Sequence, residues 1–117
     1  MTNRNIVNYF NAKDKLKDKK LPIKLAFALK LNYEKLQPYA NAYNEQLTEV
    51  EEKYELKKQK NPEENQNNFL KEVTELLDTE INCDIQKVDF KILERCEHAQ
   101  FDKLTVGELE AIDFMIG

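Results

Sequence analysis

An apolar stripe whose members lie four and then three residues apart constrains the fold more than any other feature of this sequence. Its members are Leu29, Tyr33, Leu36, Ala40, Tyr43, Leu47, Val50 and Tyr54. This spacing places all of these side chains on one face of an α-helix. A helix of that length has to bury its apolar face against the rest of the chain or against another subunit. The stripe therefore predicts a long amphipathic helix that serves as a scaffold or an interface.

The composition favours helices within one domain. The chain has 117 residues, with only two glycines and three prolines. All-β sandwiches and barrels need many tight turns, and tight turns consume glycine. We therefore predict a mainly α single domain over residues 1–117, built as a long, proline-kinked helical hairpin with a short β element and a capped C-terminal helix. An α+β fold is the alternative.

Local signals mark the boundaries of the first two helices. Thr2 or Asn3 can cap a first helix that ends in the lysine run of residues 13–20, and Pro22 suits the first turn of the next helix. Pro38 lies inside the stripe, where proline removes a backbone hydrogen bond. Because the stripe keeps its phase on both sides of this proline, we predict a kink and not a break.

The first turns of the long helix are apolar over a wide arc. Ile23, Phe27 and Leu31 lie beside Leu25 and Leu29 when the segment is wound as a helix. This arc predicts burial on more than one side.

Two further helix starts carry capping signals. Asn61 precedes Pro62, with Glu64 at the third helical position, and this arrangement predicts a helix that begins at residue 62. Thr105 and Glu108 form a second capping box, which predicts a helix at the C-terminal end. The side chains of that helix expected to face inward are Leu109, Ile112, Met115 and Ile116.

A short segment then changes to a period of two. Ile81, Cys83 and Ile85 alternate with polar residues, as is typical of a strand, and Val88 and Phe90 continue the alternation in a shifted phase. An isolated strand leaves backbone groups unpaired, so it needs a partner within the chain or from another subunit. No second strand is evident in the sequence.

The stripe and this strand supply the candidate interface residues, because both features need a partner surface. They are Leu29, Tyr33, Leu36, Tyr43, Leu47, Val50, Tyr54, Ile81, Cys83 and Ile85. We expect a homo-oligomer in which the long helices pair and a neighbouring subunit completes the strand.

Charge is distributed unevenly, although the formal total is only −4. A nucleic-acid interpretation assigns the clustered lysines near the start of the chain to phosphate contacts, because ammonium groups release counterions on binding the phosphate backbone. They are Lys13, Lys15, Lys17, Lys19 and Lys20. Acidic residues interrupt this run, and it contains no aromatic side chain that could stack on a base. The favoured interpretation is therefore a solvated helix end, and nucleic acid is not the expected partner.

The usual catalytic and nucleotide-binding motifs are absent from the sequence. Cys83, Cys96 and His98 are too few for a zinc site of cysteine and histidine alone, and Cys96 and His98 point apart in a helix. A metal-dependent nuclease would need Asp89 and Lys91 beside one more carboxylate, but this pattern arises easily in a chain with 34% charged residues. That carboxylate would be Asp78, Glu80 or Asp84. We therefore expect no enzyme activity, no metal and no cofactor.

Four passages carry a distinctive order of apolar and helix-cap residues. They are Lys20-Leu21-Pro22-Ile23-Lys24-Leu25-Ala26-Phe27-Ala28-Leu29-Lys30, Leu36-x-x-Tyr39-x-x-x-Tyr43-Asn44-Glu45, Phe69-x-x-Glu72-x-x-x-Leu76-Leu77-x-x-Glu80-Ile81-Asn82-Cys83-Asp84-Ile85 and Leu104-Thr105-x-x-Glu108-Leu109-x-x-Ile112-Asp113-Phe114-Met115-Ile116. Over nearly the whole chain, this order resembles a family of small, uncharacterised proteins encoded by tailed phages and prophages of Gram-positive bacteria. The resemblance implies a phage origin and supplies no activity or site residues. Pro38 departs from the long helix of that family.

These observations together predict a non-enzymatic, phage-type structural, assembly or interaction protein that self-associates. The alternative is a small acidic inhibitor or adaptor that binds a host protein, with acidic residues 45–80 attracting a basic partner. A third interpretation is nucleic-acid binding through the basic N-terminal segment. The sequence has no run of about 18 apolar residues and no secretory signal, so we expect the host cytosol and no membrane partner.

Overall fold

A computed structural model describes residues 1–57 and 62–117, and it shows a mainly α protein, as predicted. Its elements are α1 (Asn3–Asn11), α2 (Lys13–Lys17), α3 (Ile23–Lys57), α4 (Pro62–Leu77), α5 (Ile92–Arg95), α6 (Val106–Ile112) and a final 3₁₀ helix (Asp113–Met115). The helices α3 and α4 pack on each other as a hairpin, and α1 packs against α3 and α6. The predicted long helix, hairpin and C-terminal helix are therefore confirmed.

The apolar stripe is the covered face of α3. Every one of its members is buried or half-buried, and Leu36 at its centre has no exposed surface. The helix continues through Pro38 without a break, and the proline ring lies on the exposed side. The missing hydrogen bond at this proline therefore lies on the side of α3 that faces water.

Local capping signals also agree with the structure. Thr2 caps α1 in a reciprocal capping box with Asn5, and Thr105 caps α6 in the same way with Glu108. Helix α4 begins at Pro62, whereas the predicted cap at Asn61 lies outside the described residues. Such signals depend on a few neighbouring residues, so they can be recognised without knowledge of the tertiary fold.

The core lies where α1 and α6 meet the first half of α3, and this part of the molecule is here termed the head. The rings of Tyr9 and Tyr33 stack at 3.9 Å with an angle of 8° between their planes. The Tyr9 hydroxyl donates to the carbonyl of Leu29 over 2.8 Å, and the Tyr33 hydroxyl donates to the carbonyl of Tyr9 over 2.8 Å. Burial raises the pKa of both phenols, so both remain hydrogen-bond donors. This pair fixes the position of α1 on α3.

Beyond the head, residues 41–57 of α3 and all of α4 form a two-helix arm. Its inner side holds Val50, which is buried, and the rings of Tyr54 and Phe69, whose centroids lie 6.0 Å apart. Lys53 Nζ lies 2.9 Å from Glu72 Oε1 and links the two helices. The arm makes the molecule 58 Å long, with a radius of gyration of 17.5 Å against about 13 Å for a compact domain of this length.

Residues 80–88, here termed the strap, lie where a strand was predicted, and this prediction is corrected. Within the described chain the strap forms only single-residue bridges, between Thr2 and Glu80 and between Val88 and Ile116. The alternation of burial is nevertheless as predicted, because the apolar residues of its first half pack on the core and the polar ones face outward. The strap is thus an extended segment without a strand ladder.

Side chains of α3 take the place of a second strand. Asn32 Nδ2 donates to the carbonyl of Gln86 over 2.8 Å, and Asn32 Oδ1 accepts from the Gln86 N–H over 2.7 Å. Two side chains further along α3 donate to alternate strap carbonyls: Lys35 to Asp84 over 3.1 Å and Tyr39 to Asn82 over 3.4 Å. These bonds pair four backbone groups of the strap with side chains of α3, so they anchor it within the same chain.

The two ends of the strap bind the two ends of the described chain. The Ile81 N–H donates to the carbonyl of Met1 over 2.8 Å. The Val88 N–H donates to the carbonyl of Met115 over 2.9 Å, and the Val88 carbonyl accepts from the Gly117 N–H over 2.9 Å. The strap therefore joins α1, α3 and the C-terminal helix into one head.

The start of α6 is held by a buried carboxylate. Glu108 accepts a hydrogen bond from the Thr105 N–H over 2.9 Å, and Lys19 Nζ lies 3.4 Å from the same oxygen. Burial raises the pKa of Glu108, but the bonds from Thr105 and the Lys19 ammonium outweigh this effect, so the net pKa is lowered.

Glu108→Gln should lower the free energy of unfolding by about 1–2 kcal/mol at neutral pH, because it removes the charge from a capping and ion-pair interaction. The pKa of Glu108 in the folded protein lies below its unfolded value of about 4.3. The native protein is therefore more stable than the variant above that pH. This difference is lost as the pH falls through the folded pKa. Urea unfolding of both proteins between about pH 7 and about pH 3 measures this difference. Glu110→Gln on the exposed side of α6 is the control, and an unchanged difference at the acid end would contradict the assignment.

Candidate protein-interaction surface

The described part of the head exposes four large apolar side chains, of which Val106 lies on α6 and is 72% exposed. Ile23 is 76% exposed, Phe27 is 60% exposed and Phe90 is 62% exposed. Ile23 and Phe27 lie one turn apart on the side of α3 that faces away from the core. The wide apolar arc predicted for this part of α3 is therefore covered on one side only, and the expected burial of Ile23 and Phe27 is corrected. Exposed apolar side chains grouped in this way are typical of interaction sites.

A groove of about 430 Å³ lies beside Phe27, between the start of α3 and residues 86–95. Apolar side chains from Phe27, Val88 and Ile92 line it. Its cationic lining residues are Lys24, Lys87, Lys91 and Arg95. Within the part of the chain that the structure describes, none of these cations forms an ion pair. The groove thus combines apolar walls with positive charge that forms no ion pair with any residue of 1–57 and 62–117.

Asp89 is the acidic residue of the groove, and its carboxylate has a structural role. Asp89 Oδ1 accepts a hydrogen bond from the Lys91 N–H over 2.9 Å, and the Asp89 carbonyl accepts from the Ile92 N–H over 2.9 Å. These bonds shape the turn that leads into α5. Because four cations line the groove beside this one carboxylate, the net charge of the groove is positive.

The arm carries the opposite charge. Residues 41–57 and 62–77 contain nine glutamates and three lysines. Glu45, Glu49 and Glu52 are exposed, lie four and three residues apart on α3, and form no ion pair with any described residue. Lys24 and Phe27 of the basic groove lie at the beginning of α3, whereas this acidic row lies in its second half.

The sequence-predicted interface residues differ in how far the rest of the chain covers them. Those that are buried are Leu29, Leu36, Tyr43 and Val50, and those that are half-buried are Tyr33, Leu47, Tyr54, Ile81, Cys83 and Ile85. The strap residues pack on the same core as the first part of the stripe. The four buried side chains are therefore covered by the chain itself, whereas the six half-buried ones keep part of their surface exposed.

The predicted phosphate-contact lysines are only partly brought together. Lys13, Lys17 and Lys19 line a second groove of about 380 Å³ with Lys30, whereas Lys15 and Lys20 do not line it. Lys19 is already engaged, because its Nζ lies near Glu108 and donates to the carbonyl of Lys103 over 2.9 Å.

The residues considered for catalysis or metal binding are dispersed. Cys96 is buried, which raises the pKa of its thiol, and His98 is exposed. Arg4 pairs with Asp78 over 3.0 Å, and Glu80 lies 3.4 Å from the N-terminal ammonium group. Among residues 1–57 and 62–117, no three cysteine, histidine or acidic side chains come together as metal ligands would.

The groove itself was not recognised from the sequence. The spacing of Ile23 and Phe27 fits an apolar helix face and predicts their burial, and Phe90 fits the alternation that continues after Ile85. Lys24 lies between the apolar residues Ile23 and Leu25, and a charged residue within an apolar segment can indicate that one side of the helix is exposed. The other groove cations come from a segment more than sixty residues away, so sequence spacing alone does not group them with Lys24.

No family model, curated protein or solved structure matches the chain. The resemblance to small phage proteins therefore stays a prediction. None of the described helices is both long enough and apolar enough to span a membrane.

Proposed function

We propose that this chain is a non-enzymatic interaction protein of the structural or assembly type, and that it binds an acidic, partly apolar protein surface in the groove beside Phe27. The observation that carries this proposal is the exposed Phe27 side chain in one groove with four cations that form no ion pair with a described residue. Apolar contact supplies affinity at such a site, and complementary charge supplies orientation and association rate.

The same groove serves either of the two protein-binding functions expected from the sequence. A second copy of the chain would make it an assembly protein, and a foreign acidic protein would make it an adaptor or inhibitor. The phage origin and the host cytosol are the setting that the resemblance implies, and they belong to this proposal. We assign the contact to the groove and not to the stripe or the strap, because Leu29, Leu36, Tyr43 and Val50 of the stripe are buried within the chain.

The groove suits a protein better than a nucleic acid. Val88 and Ile92 line it, and Ile23 lies one turn from Phe27 on the same helix face. Phe27 is the one aromatic side chain among the lining residues, and the aliphatic side chains beside it match leucine or phenylalanine side chains of a peptide better than they match the face of a base.

The direct test uses a fluorescently labelled amphipathic helical peptide made of leucine and glutamate, and follows its anisotropy as the full chain is added. We expect the double variant Phe27→Ser with Lys91→Glu to bind this probe about tenfold more weakly or worse than the native chain. Added salt should weaken native binding, because part of it is electrostatic.

A matched control carries the same chemical changes away from the groove. Val106→Ser with Lys15→Glu alters one exposed apolar and one exposed basic residue, and it should bind the probe like the native chain. Equal losses in both double variants would contradict the groove as the binding site. Tight binding of a single-stranded oligonucleotide in place of the peptide would favour the nucleic-acid interpretation.

A further inference from the structure

We propose that the partner in this groove is a second copy of the chain, packed antiparallel on the outer face of α3 around a twofold axis near Pro38. This inference rests on the proposed function, because the groove of each copy receives part of the other. The outer face is the side of α3 opposite the stripe, and it includes Ile23, Phe27, Pro38, Glu45, Glu49 and Glu52.

Charge complementarity is the first argument. Lys24 and the other groove cations lie at the beginning of α3, and Glu45, Glu49 and Glu52 lie in its second half. Both sets are exposed to solvent and without ion pairs among the described residues. Each set therefore lacks a counter-charge that the other set can supply.

Spacing along the helix is the second argument. Lys24 and Glu52 lie fourteen residues on either side of Pro38, which corresponds to about 21 Å each along the axis. Phe27 and Glu49 lie eleven residues on either side. In an antiparallel pair centred on Pro38, the basic groove of each copy therefore lies opposite the acidic row of the other.

The chain cannot make this contact with itself. Lys24 and Glu52 belong to one continuous helix and are separated along it by about 42 Å. A second copy related by a twofold axis satisfies both charge sets at once and leaves neither surface open, so the assembly closes as a dimer.

The middle of the outer face allows close approach of two helices. Pro38 and Ala42 are exposed and have short side chains, and Leu31 is half-buried one turn beyond Phe27. Helices with such residues at the crossing point pack at about 8–10 Å between axes. In this register Phe27 of each copy lies opposite Glu49 of the other, so the apolar contact of the dimer is centred on Pro38.

The test is the molar mass of the full chain, measured by light scattering or sedimentation over about a hundredfold range of concentration, at low and at high salt. We expect a reversible dimer for the native chain, with dissociation favoured by salt. Lys24→Glu with Lys91→Glu should weaken the dimer by about tenfold or more, and so should Glu49→Lys with Glu52→Lys. An equimolar mixture of these two variants should restore a 1:1 dimer, because the reversed charges are again complementary.

Controls carry equal charge changes elsewhere on the exposed surface. They are Lys15→Glu with Lys17→Glu for the basic set and Glu75→Lys with Glu110→Lys for the acidic set, and both should dimerise like the native chain. Dissociation of the controls, or failure of the mixture to reassociate, would overturn the assigned interface. A mass that grows beyond that of a dimer would overturn the twofold arrangement.

Two outcomes separate this inference from the proposed function. A native chain that stays monomeric throughout but still binds the leucine–glutamate peptide in its groove overturns the second copy as partner and leaves the interaction function intact. A chain that neither dimerises nor binds the peptide overturns both.

Discussion

Leu36→Ala is expected to lower the free energy of unfolding by about 3 kcal/mol, within the range of about 2–5 kcal/mol typical of buried leucines. Leu36 has no exposed surface and lies at the centre of the covered face of α3, where α1, the strap and the C-terminal segment meet in one core. Truncation there removes apolar contacts and leaves a cavity that well-packed neighbours cannot fill. Urea unfolding followed by circular dichroism measures the loss.

Leu70→Ala is the matched control for this result. Leu70 is 53% exposed on α4, so its truncation should change the free energy of unfolding by no more than about 0.5 kcal/mol. Comparable losses for the two variants would mean that the stability of the fold does not depend on the covered face of α3. That outcome would contradict the assignment of the stripe to the core.

Asn32→Ala is expected to cost about 2–4 kcal/mol, because it leaves a strap N–H and a strap carbonyl without their partners. Asn32 is fully buried, and its amide binds both backbone groups of Gln86. The variant should also speed hydrogen exchange at the Gln86 amide far more than at amides within α4. Gln37→Ala, which removes only an exposed hydrogen bond to Asn41, is the control.

Unchanged exchange at Gln86 in the Asn32 variant would show that the strap does not depend on this amide. Hydrogen exchange is needed in addition to the free energy of unfolding, because any core substitution can lower stability. Loss of protection confined to the strap distinguishes the removal of an anchor from a general loosening of the head.

The elements predicted correctly from the sequence depend on short spacings. Thr105 and Glu108 are three residues apart, and the members of the stripe recur every turn, so local geometry alone relates them. The covered face of α3 and the start of α6 follow directly from these patterns.

The strap shows what local patterns could not provide. Ile81, Cys83 and Ile85 alternate as a strand does, but whether such a segment joins a sheet depends on what lies beside it. The partner here is the amide of Asn32, which is 54 residues from Gln86 in sequence. A side chain that substitutes for a strand leaves no periodic signal of its own.

The groove was missed for a related reason. Helical periodicity shows that Ile23 and Phe27 share a face with other apolar residues, but it does not show whether any element covers that face. The answer depends on where residues 86–95 pass, and these residues leave the two side chains exposed beside the groove. An apolar helix face is therefore evidence for a contact, while the identity of the contact has to come from the fold.

The hairpin also affects the entropy of closing the chain. The N-terminal ammonium group and Glu80 meet although they are 79 residues apart, and Asn3 reaches the carbonyl of Leu76 across 73 residues. Bringing the ends of an open loop together costs conformational freedom, and the cost rises by about 0.6 kcal/mol for each doubling of loop length. Once α3 and α4 have folded back on each other, the end of α4 lies beside the middle of α3, so the loop that remains to be closed is much shorter. The arm, which holds no residue of the groove, thereby reduces the cost of assembling the head that contains it.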